Sequence, residues 1–340
     1  MGEVSTIGLD LAKSVFQAHG ADASGAVVFR KELRRDQLLS FFAGLPRCLV
    51  AMEACAGAHH WARELAALGH KPRLIPPPYV KPFVKRQKND MADAEAICEA
   101  AQRPTMRFVQ PKSAEQQAAG TVFRTRDLLV RQRSQLINAL RGHLTEFGMV
   151  ARKGSENAPQ LIDYIMDPAS DLLPETRSVL KVLAEALQQL DEKITVLDVE
   201  IRKRARTNAL AKRLMTIPGV GAVLATAMVA QAPAPETFRR GRDFAAWLGL
   251  TPLQHSSGGK ERLGRTSKMG DRNLRRLLIL GASSAARAAA ATGMTEGWLG
   301  RMLTRKPRML VVVALANKMA RIIWALMAHG GSYKAPTVAA

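Results

Sequence analysis

The chain has 340 residues, 47% hydrophobic and 23% charged, a composition that excludes wholesale disorder and suits about two domains at roughly 150 residues each. Its 50 Lys and Arg face 29 Asp and Glu, a net charge of +21 that calls for a polyanionic partner, either nucleic acid or an anionic membrane surface. Three cysteines without a CxxC pair (Cys48, Cys55, Cys98) argue against a disulfide framework or a structural zinc site.

In chain order, VSTIGLDLA, SVFQAHGAD and AVVFRKEL, within residues 4–33, are three β-rich segments of an antiparallel meander. A short helix is expected over Asp36–Ala43, a buried strand over Cys48–Met52, a helix over His59–Leu68 and a short strand over Arg73–Ile75. Pro76, Pro77 and Pro78 end that strand, because proline cannot donate to a ladder. After a basic loop, Asp90–Gln102 is helical, so residues 1–110 form a mixed α/β domain. Residues 111–206 are helical: Leu129, Leu136, Leu140, Leu144 and Phe147 lie mostly on one face of Asp127–Phe147. Further on, Val179, Leu183, Leu187, Leu190, Ile194, Leu197 and Ile201 follow spacings of 4, 4, 3, 4, 3 and 4, a heptad seam. Such a seam belongs either to a long helix packed on its own domain or to a coiled coil joining subunits or domains. Residues 207–330 are mainly α with one Gly-rich basic loop, and 331–340 form a flexible tail.

Net charge is +4 over residues 1–110, +2 over 111–206 and +15 over 207–340. The last part is therefore expected to carry the polyanion contact, and the first keeps the carboxylates that a catalytic metal site needs. The N-terminus lacks a basic segment leading into a long apolar run, and the apolar run Met309–Ala316 stops at Asn317 and Lys318. Neither a signal peptide nor a membrane span is expected, which points to a cytoplasmic, reducing location without a membrane partner.

Four carboxylates carry the first chemical reading. Asp10 lies in the first strand, Glu53 ends the strand CLVAME, and Asp90 and Asp93 share a helical face in KNDMADAEA. In an RNase H-like domain the first strand, the fourth strand and the last helix meet at one end of the sheet. Four carboxylates there repel one another unless they hold cations, and two Mg2+ ions would explain the set. Against this, a lone Asp after a strand is usually a turn residue, and Asp90 alone is an ordinary N-cap candidate. In the C-terminal part, IPGVG before an Ala/Val helix is either a helix-hairpin-helix unit, with Gly219 and Gly221 letting backbone approach a phosphate, or a tight turn without a ligand. In HSSGGKERLGRTSKMGDRNLRR, Lys260, Arg262, Arg265, Lys268, Arg272, Arg275 and Arg276 form a phosphate-backbone surface. The glycines make that loop pliable. Ser256 and Ser257 precede Gly258 and Gly259; on chemistry alone, serines in such a loop are turn residues more often than nucleophiles. His59 and His60 lack metal-ligand spacing, His255 adjoins the serines as a possible base, and Trp61, Trp247, Trp298 and Trp324 read as core.

Taken together, GLDLAK, MEACAGAHHWA, KNDMADAEAI, IPGVG and LGLTPLQHSSGGKERLGRTSKMGDRNLRRLL, in that order around a helical spacer, resemble the DEDD transposases of insertion sequence family 110. The likeness is to the subgroup with an SSGGK-type loop, which are bridge-RNA-guided DNA recombinases. It implies a RuvC-like N-terminal domain with Asp10, Glu53, Asp90 and Asp93 as ligands of Mg2+ or Mn2+. It further implies a coiled-coil spacer that joins protomers, as a dimer assembling to a tetramer, and a C-terminal transposase domain whose nucleophile is a serine of the SSGG loop. Ser256 is favoured over Ser257, because the first serine fits the looser S-S/T-G-G form. The implied partners are target and donor DNA and a structured bridge RNA, in a prokaryotic, nucleoid-associated setting. Two alternatives stay open: a RuvC-like Holliday-junction endonuclease that needs no serine, and a non-catalytic nucleic-acid-binding transposon remnant.

Overall fold

A computed structural model describes residues 3–85, 89–293 and 296–334. The chain divides into two compact units, Met1–Gln117 and Ala118–Ala340.

The first unit is built on five strands: β1 (Thr6–Asp10), β2 (Val15–Ala21), β3 (Val27–Arg34), β4 (Leu49–Glu53) and β5 (Lys71–Ile75). Their order is β3-β2-β1-β4-β5. β1–β2 and β2–β3 are antiparallel, as the meander predicts, whereas β1–β4 and β4–β5 are parallel. Helices α1 (Leu38–Ala43), α2 (Ala58–Ala67), α3 (Pro77–Val80) and α4 (Asp90–Ala101) cover the sheet. Strand alternation sorts the two faces. Ile7, Leu9, Val50 and Met52 pack with Leu38, Phe42, Trp61 and Leu65 of α1 and α2, while Ala51 and Ile75 pack with Ala96, Ile97 and Ala100 of α4. Asp10 and Glu53 follow Leu9 and Met52 by one residue, so they belong to the α4 face.

Gly8 decides how closely α4 can approach. A Cβ there would overlap the Ala94 carbonyl oxygen and come within 2.5 Å of the Cys98 amide nitrogen. The helix lies flush on β1, and its first turn is thereby held at the strand's C-terminal end. Gly8→Ala is expected to cost about 1–3 kcal/mol of stability through overpacking. It should also weaken divalent-metal binding, because α4 must lift with Asp90 and Asp93. Thermal unfolding with and without Mg2+ checks both, and an unchanged melting temperature would contradict the contact.

The second unit is mostly helical: α5 (Ala114–Thr145, its first turn in the first unit), α6 (Ala158–Met166), α7 (Pro174–Thr207), α8 (Ala209–Leu214), α9 (Ala222–Gln231) and α10 (Gly241–Trp247). A two-stranded hairpin of β6 (Pro252–Gln254) and β7 (Leu263–Thr266) follows, then α11 (Arg272–Ala291), α12 (Gly297–Arg305) and α13 (Arg308–His329). The hairpin departs from the expected helices-plus-loop. α5 also begins well before Asp127, through a Glu/Gln/Ala-rich segment whose apolar period is weak.

The heptad seam serves the chain's own fold in part. Leu187, Ile194 and Ile201, seven residues apart, are buried in this unit, whereas Val179 is 65% exposed. Arg126 grips Asp198 through two nitrogens at 2.5 and 3.1 Å, and Arg133 reaches Asp191 at 3.1 Å. Partners that advance by seven on α5 and retreat by seven on α7 define an antiparallel pair. α7 leaves four valines exposed, Val179 of the seam together with Val182, Val196 and Val199.

The apolar run expected to stop at Asn317 continues. α13 has 22 residues, and an 18-residue stretch of it has a mean hydropathy of 1.7, enough by length and composition to cross a membrane. In this fold it is a core helix, burying Val311, Val312, Ala316, Met319, Ala320, Ile323 and Leu326 against α10 and α11.

Candidate active site

The C-terminal ends of β1 and β4 place Asp10 and Glu53 side by side, one step beyond the Leu9–Met52 register pair. Asn89 caps α4, its side-chain oxygen accepting from the Ala92 amide at 2.7 Å. The capping reading of Asp90 is therefore overturned: Asp90 and Asp93 occupy the first helical turn, where the helix dipole favours negative charge. Asp10, Asp90 and Asp93 each offer an oxygen lying within 4.8 Å of the others. Glu53 stands outside that group of three yet close to it. Burial first, then Glu53 and Asp10, raise the Cys55 thiol above its ordinary range, so both carboxylates project field onto the same spot.

Three carboxylate oxygens this close to one another can share one cation. Their hard oxygen donors and near-contact spacing fit a Mg2+ or Mn2+ ion, with the protein supplying only part of the coordination shell. Gly8 and Asn89, which set this geometry, were legible only as a glycine inside a strand and a polar residue before a helix.

The serine loop is a defined hairpin rather than a pliable segment. Ser257 pairs with Lys260, whose amide donates to the Ser257 carbonyl at 3.0 Å. Gly258 and Gly259 between them have φ of +56° and +73°, the two left-handed positions of a type I′ turn. Below the turn, the His255 amide donates to the Arg262 carbonyl at 2.8 Å, and the Ser256 hydroxyl accepts from the Arg262 amide at 3.1 Å. That bond orients the Ser256 oxygen while leaving its proton unengaged by Arg262. Both serines are exposed. The His255 ring lies against Gly264, where a Cβ would stand 2.8 Å from Nε2.

The basic residues divide into two groups. Lys260, Arg262, Arg265, Lys268 and Arg272 are exposed. Lys268 adopts φ of +55°, a left-handed conformation uncommon for a non-glycine residue, and its side chain is thereby set on the loop's outer edge. Arg275 instead donates to the Leu248 and Met269 carbonyls at 3.1 and 2.6 Å, and Arg276 forms an ion pair with Asp127. These two arginines hold α11 to its surroundings. Arg275→Ala should cost about 2–3 kcal/mol of stability, the worth of charge-assisted hydrogen bonds. Arg272→Ala should leave stability unchanged and flatten the slope of log K against log salt by about 0.9. Chemical denaturation and salt titration of DNA binding separate the two, and a slope change for Arg275→Ala at unchanged stability would contradict the division.

At IPGVG, Gly219 has φ of +83°, and its Cβ would overlap the Gly281 carbonyl of α11. This glycine serves helix packing. Gly221, the N-cap residue of α9, has nothing within 4 Å of its Cβ position. It opens onto a cleft of about 360 Å³ that Arg126 and Arg202 also line.

An RNase H-like sheet with converging carboxylates, joined to a helical unit that displays a basic hairpin, fits an enzyme that acts on nucleic acid. Comparison with known proteins makes this specific. A DEDD transposase family of IS110 type matches residues 7–149, and the transposase IS116/IS110/IS902 family matches residues 211–295. A probable family 20 transposase of Pseudomonas aeruginosa is 50% identical over 97% of this chain and 99% of its own length. Transposases for the insertion sequence elements IS1328 of Yersinia enterocolitica and IS1111A of Coxiella burnetii are each 40% identical, over 97% and 98% of this chain and 98% and 92% of their own. The chain belongs to the IS116/IS110/IS902 family of transposases.

Proposed function

We propose that this transposase is a bridge-RNA-guided DNA recombinase of the SSGGK-type subgroup, cleaving and exchanging strands with Ser256 as nucleophile and a divalent metal held by Asp10, Glu53, Asp90 and Asp93. The observation that carries the reading is the convergence of Asp10, Asp90 and Asp93. Mg2+ or Mn2+, when bound, would supply Lewis-acid stabilisation of the oxygens that exchange at phosphorus.

The protein's own groups do the rest. The Ser256 hydroxyl, oriented by the Arg262 amide, attacks the phosphodiester. A P–O bond to serine forms, the bond to the leaving deoxyribose oxygen breaks, and the hydroxyl proton passes to a base or water. Lys260, Arg262 and Arg265 neutralise phosphate charge, and Gly221 with Lys268 and Arg272 extends the nucleic-acid surface. A second strand's hydroxyl then displaces serine, so the phosphodiester count is conserved. Pairing with a structured RNA selects target and donor DNA, and the protein reads backbone and shape. The functional parts are 1–110 for the metal site, 111–206 as spacer and 207–330 for serine and DNA, working in the cytoplasm on nucleoid DNA.

Oligomerisation, as a dimer that assembles to a tetramer, belongs to the same reading. The exposed valines of α7 suit it. Val182→Glu with Val196→Glu should lower the mass in light scattering and recombination together. A wild-type protein that remains monomeric with and without RNA would contradict it. The reading as a whole is tested by recombination in vitro with co-purified RNA: activity should require that RNA and vanish in EDTA. RNA-independent exchange would remove the guidance, and cleavage without exchange would favour the endonuclease.

A further inference from the structure

The C-terminal unit contains an open groove of about 1130 Å³ between the start of α10, the strands β6 and β7, α12 and α13. Among the described residues five cations line it, Arg240, Arg242, Arg265, Lys318 and Arg321, and no carboxylate does. Only Arg240 among them has an ion pair within the described residues, to Asp243 at the long distance of 4.0 Å. Its floor is apolar, including Leu310, which is 51% exposed, and Val313. Trp298 stands at its side, half-buried, with Lys318 Nζ 4.7 Å from the ring centroid. Trp298 is thus not a pure core residue, as its sequence context implied.

This combination selects among polyanions. Duplex DNA keeps its bases stacked inside and offers phosphates, so a duplex-binding face needs cations but no apolar floor. An unpaired strand exposes both, and it is held by cations along the backbone with aromatic and apolar surface under the bases. The groove's size, at or beyond the upper end of small-molecule pockets, also suits a chain better than a compact ligand. Its wall is continuous with the serine hairpin: Gly264, Arg265 and Thr266 of β7 line the groove, and β7 pairs with the strand that leads into Ser256.

We infer that this groove holds an unpaired segment of the DNA strand that runs to the serine hairpin, with bases against Trp298 and the α13 floor and phosphates on Arg265, Lys318 and Arg321. The inference rests on the hairpin being the DNA-cleaving element, but its binding step can be read without any chemistry. It explains why five cations and an exposed apolar surface share one concavity: a scissile strand melted from its complement needs a dock that rewards the open form.

The test uses the full chain and three labelled probes: a ten-nucleotide oligo-dT, an abasic sugar-phosphate strand of equal length, and oligo-rU. Trp298→Ala should weaken oligo-dT binding roughly tenfold and change abasic-strand binding less than about twofold. Trp298→Phe, which keeps a ring, should stay near wild type and guards against misfolding. Lys318→Ala with Arg321→Ala should weaken both DNA probes alike and reduce the salt slope by about 0.7 for each phosphate no longer neutralised. Ser256→Ala should bind oligo-dT as wild type does, so failure of the serine chemistry and failure of this groove remain distinguishable. Equal losses of both DNA probes on Trp298→Ala, no loss at all, or oligo-rU bound more than tenfold tighter than oligo-dT would each overturn the inference.

Discussion

Asp10→Asn or Asp93→Asn is expected to reduce recombination by about 10³-fold or more, which at 1.36 kcal/mol per tenfold is about 4 kcal/mol of lost transition-state stabilisation. Nucleic-acid binding should stay within a few-fold, because these carboxylates lie in the unit of low net charge, whereas residues 207–340 carry +15. The substitution is nearly isosteric, so the fold should be retained and the comparison isolates the lost carboxylate. Added Mg2+ should raise the wild-type melting temperature and leave the variants nearly unmoved, since only a state that binds the ion gains from it. Recombination assays and paired melting curves check both halves. A variant that remains active, or one that gains as much from Mg2+ as wild type, would remove these residues from the metal site. Glu53→Gln should have a smaller effect on metal binding than Asp10→Asn, because Glu53 stands outside the group of three.

Ser256→Ala should abolish strand exchange while leaving RNA and DNA binding intact. The hairpin's architecture makes the expectation specific to this serine. Its hydroxyl is held by the Arg262 amide next to a two-glycine turn, whereas Ser257 carries its backbone carbonyl into the turn's own bond with Lys260. Ser257→Ala should therefore be milder. Replacing Gly258 and Gly259 by alanine should disturb activity as well, because both positions need φ above zero.

The N-terminal unit was readable because its strands alternate and its breaks are punctuated by Gly and Pro. The positions of Asp10 and Glu53 follow from that alternation, and Asp90 and Asp93 from the helical period. The roles of Gly8 and Asn89 were not read, because one acts through a contact with a residue ninety positions away and the other through a cap one position earlier than the acid that drew attention. In the C-terminal unit β6 and β7 are three and four residues long, and glycines and cations hide their alternation. The basic loop that the sequence marks as pliable is a type I′ hairpin set by two glycines. The seam on α7 was visible as a pattern, but pattern alone does not say which chain covers it: Leu187, Ile194 and Ile201 are covered by their own. α13 is not read as one helix because Asn317 and Lys318, which line the groove, interrupt its apolar run. The groove itself draws on residues 240–325 and has no linear signature.

The central claim is that the carboxylates and the serine hairpin serve one phosphodiester transfer. It is tested most directly by trapping the covalent intermediate. Labelled DNA is incubated with wild-type protein, its RNA and Mg2+, and the products are resolved on a denaturing gel and mapped by peptide mass. A protein–DNA adduct at Ser256 is expected, absent in EDTA, absent for Asp10→Asn and absent for Ser256→Ala. Wild-type recombination by the Ser256→Ala, Ser257→Ala double variant, with no adduct at any residue, would contradict the claim and leave a metal-dependent nuclease in its place.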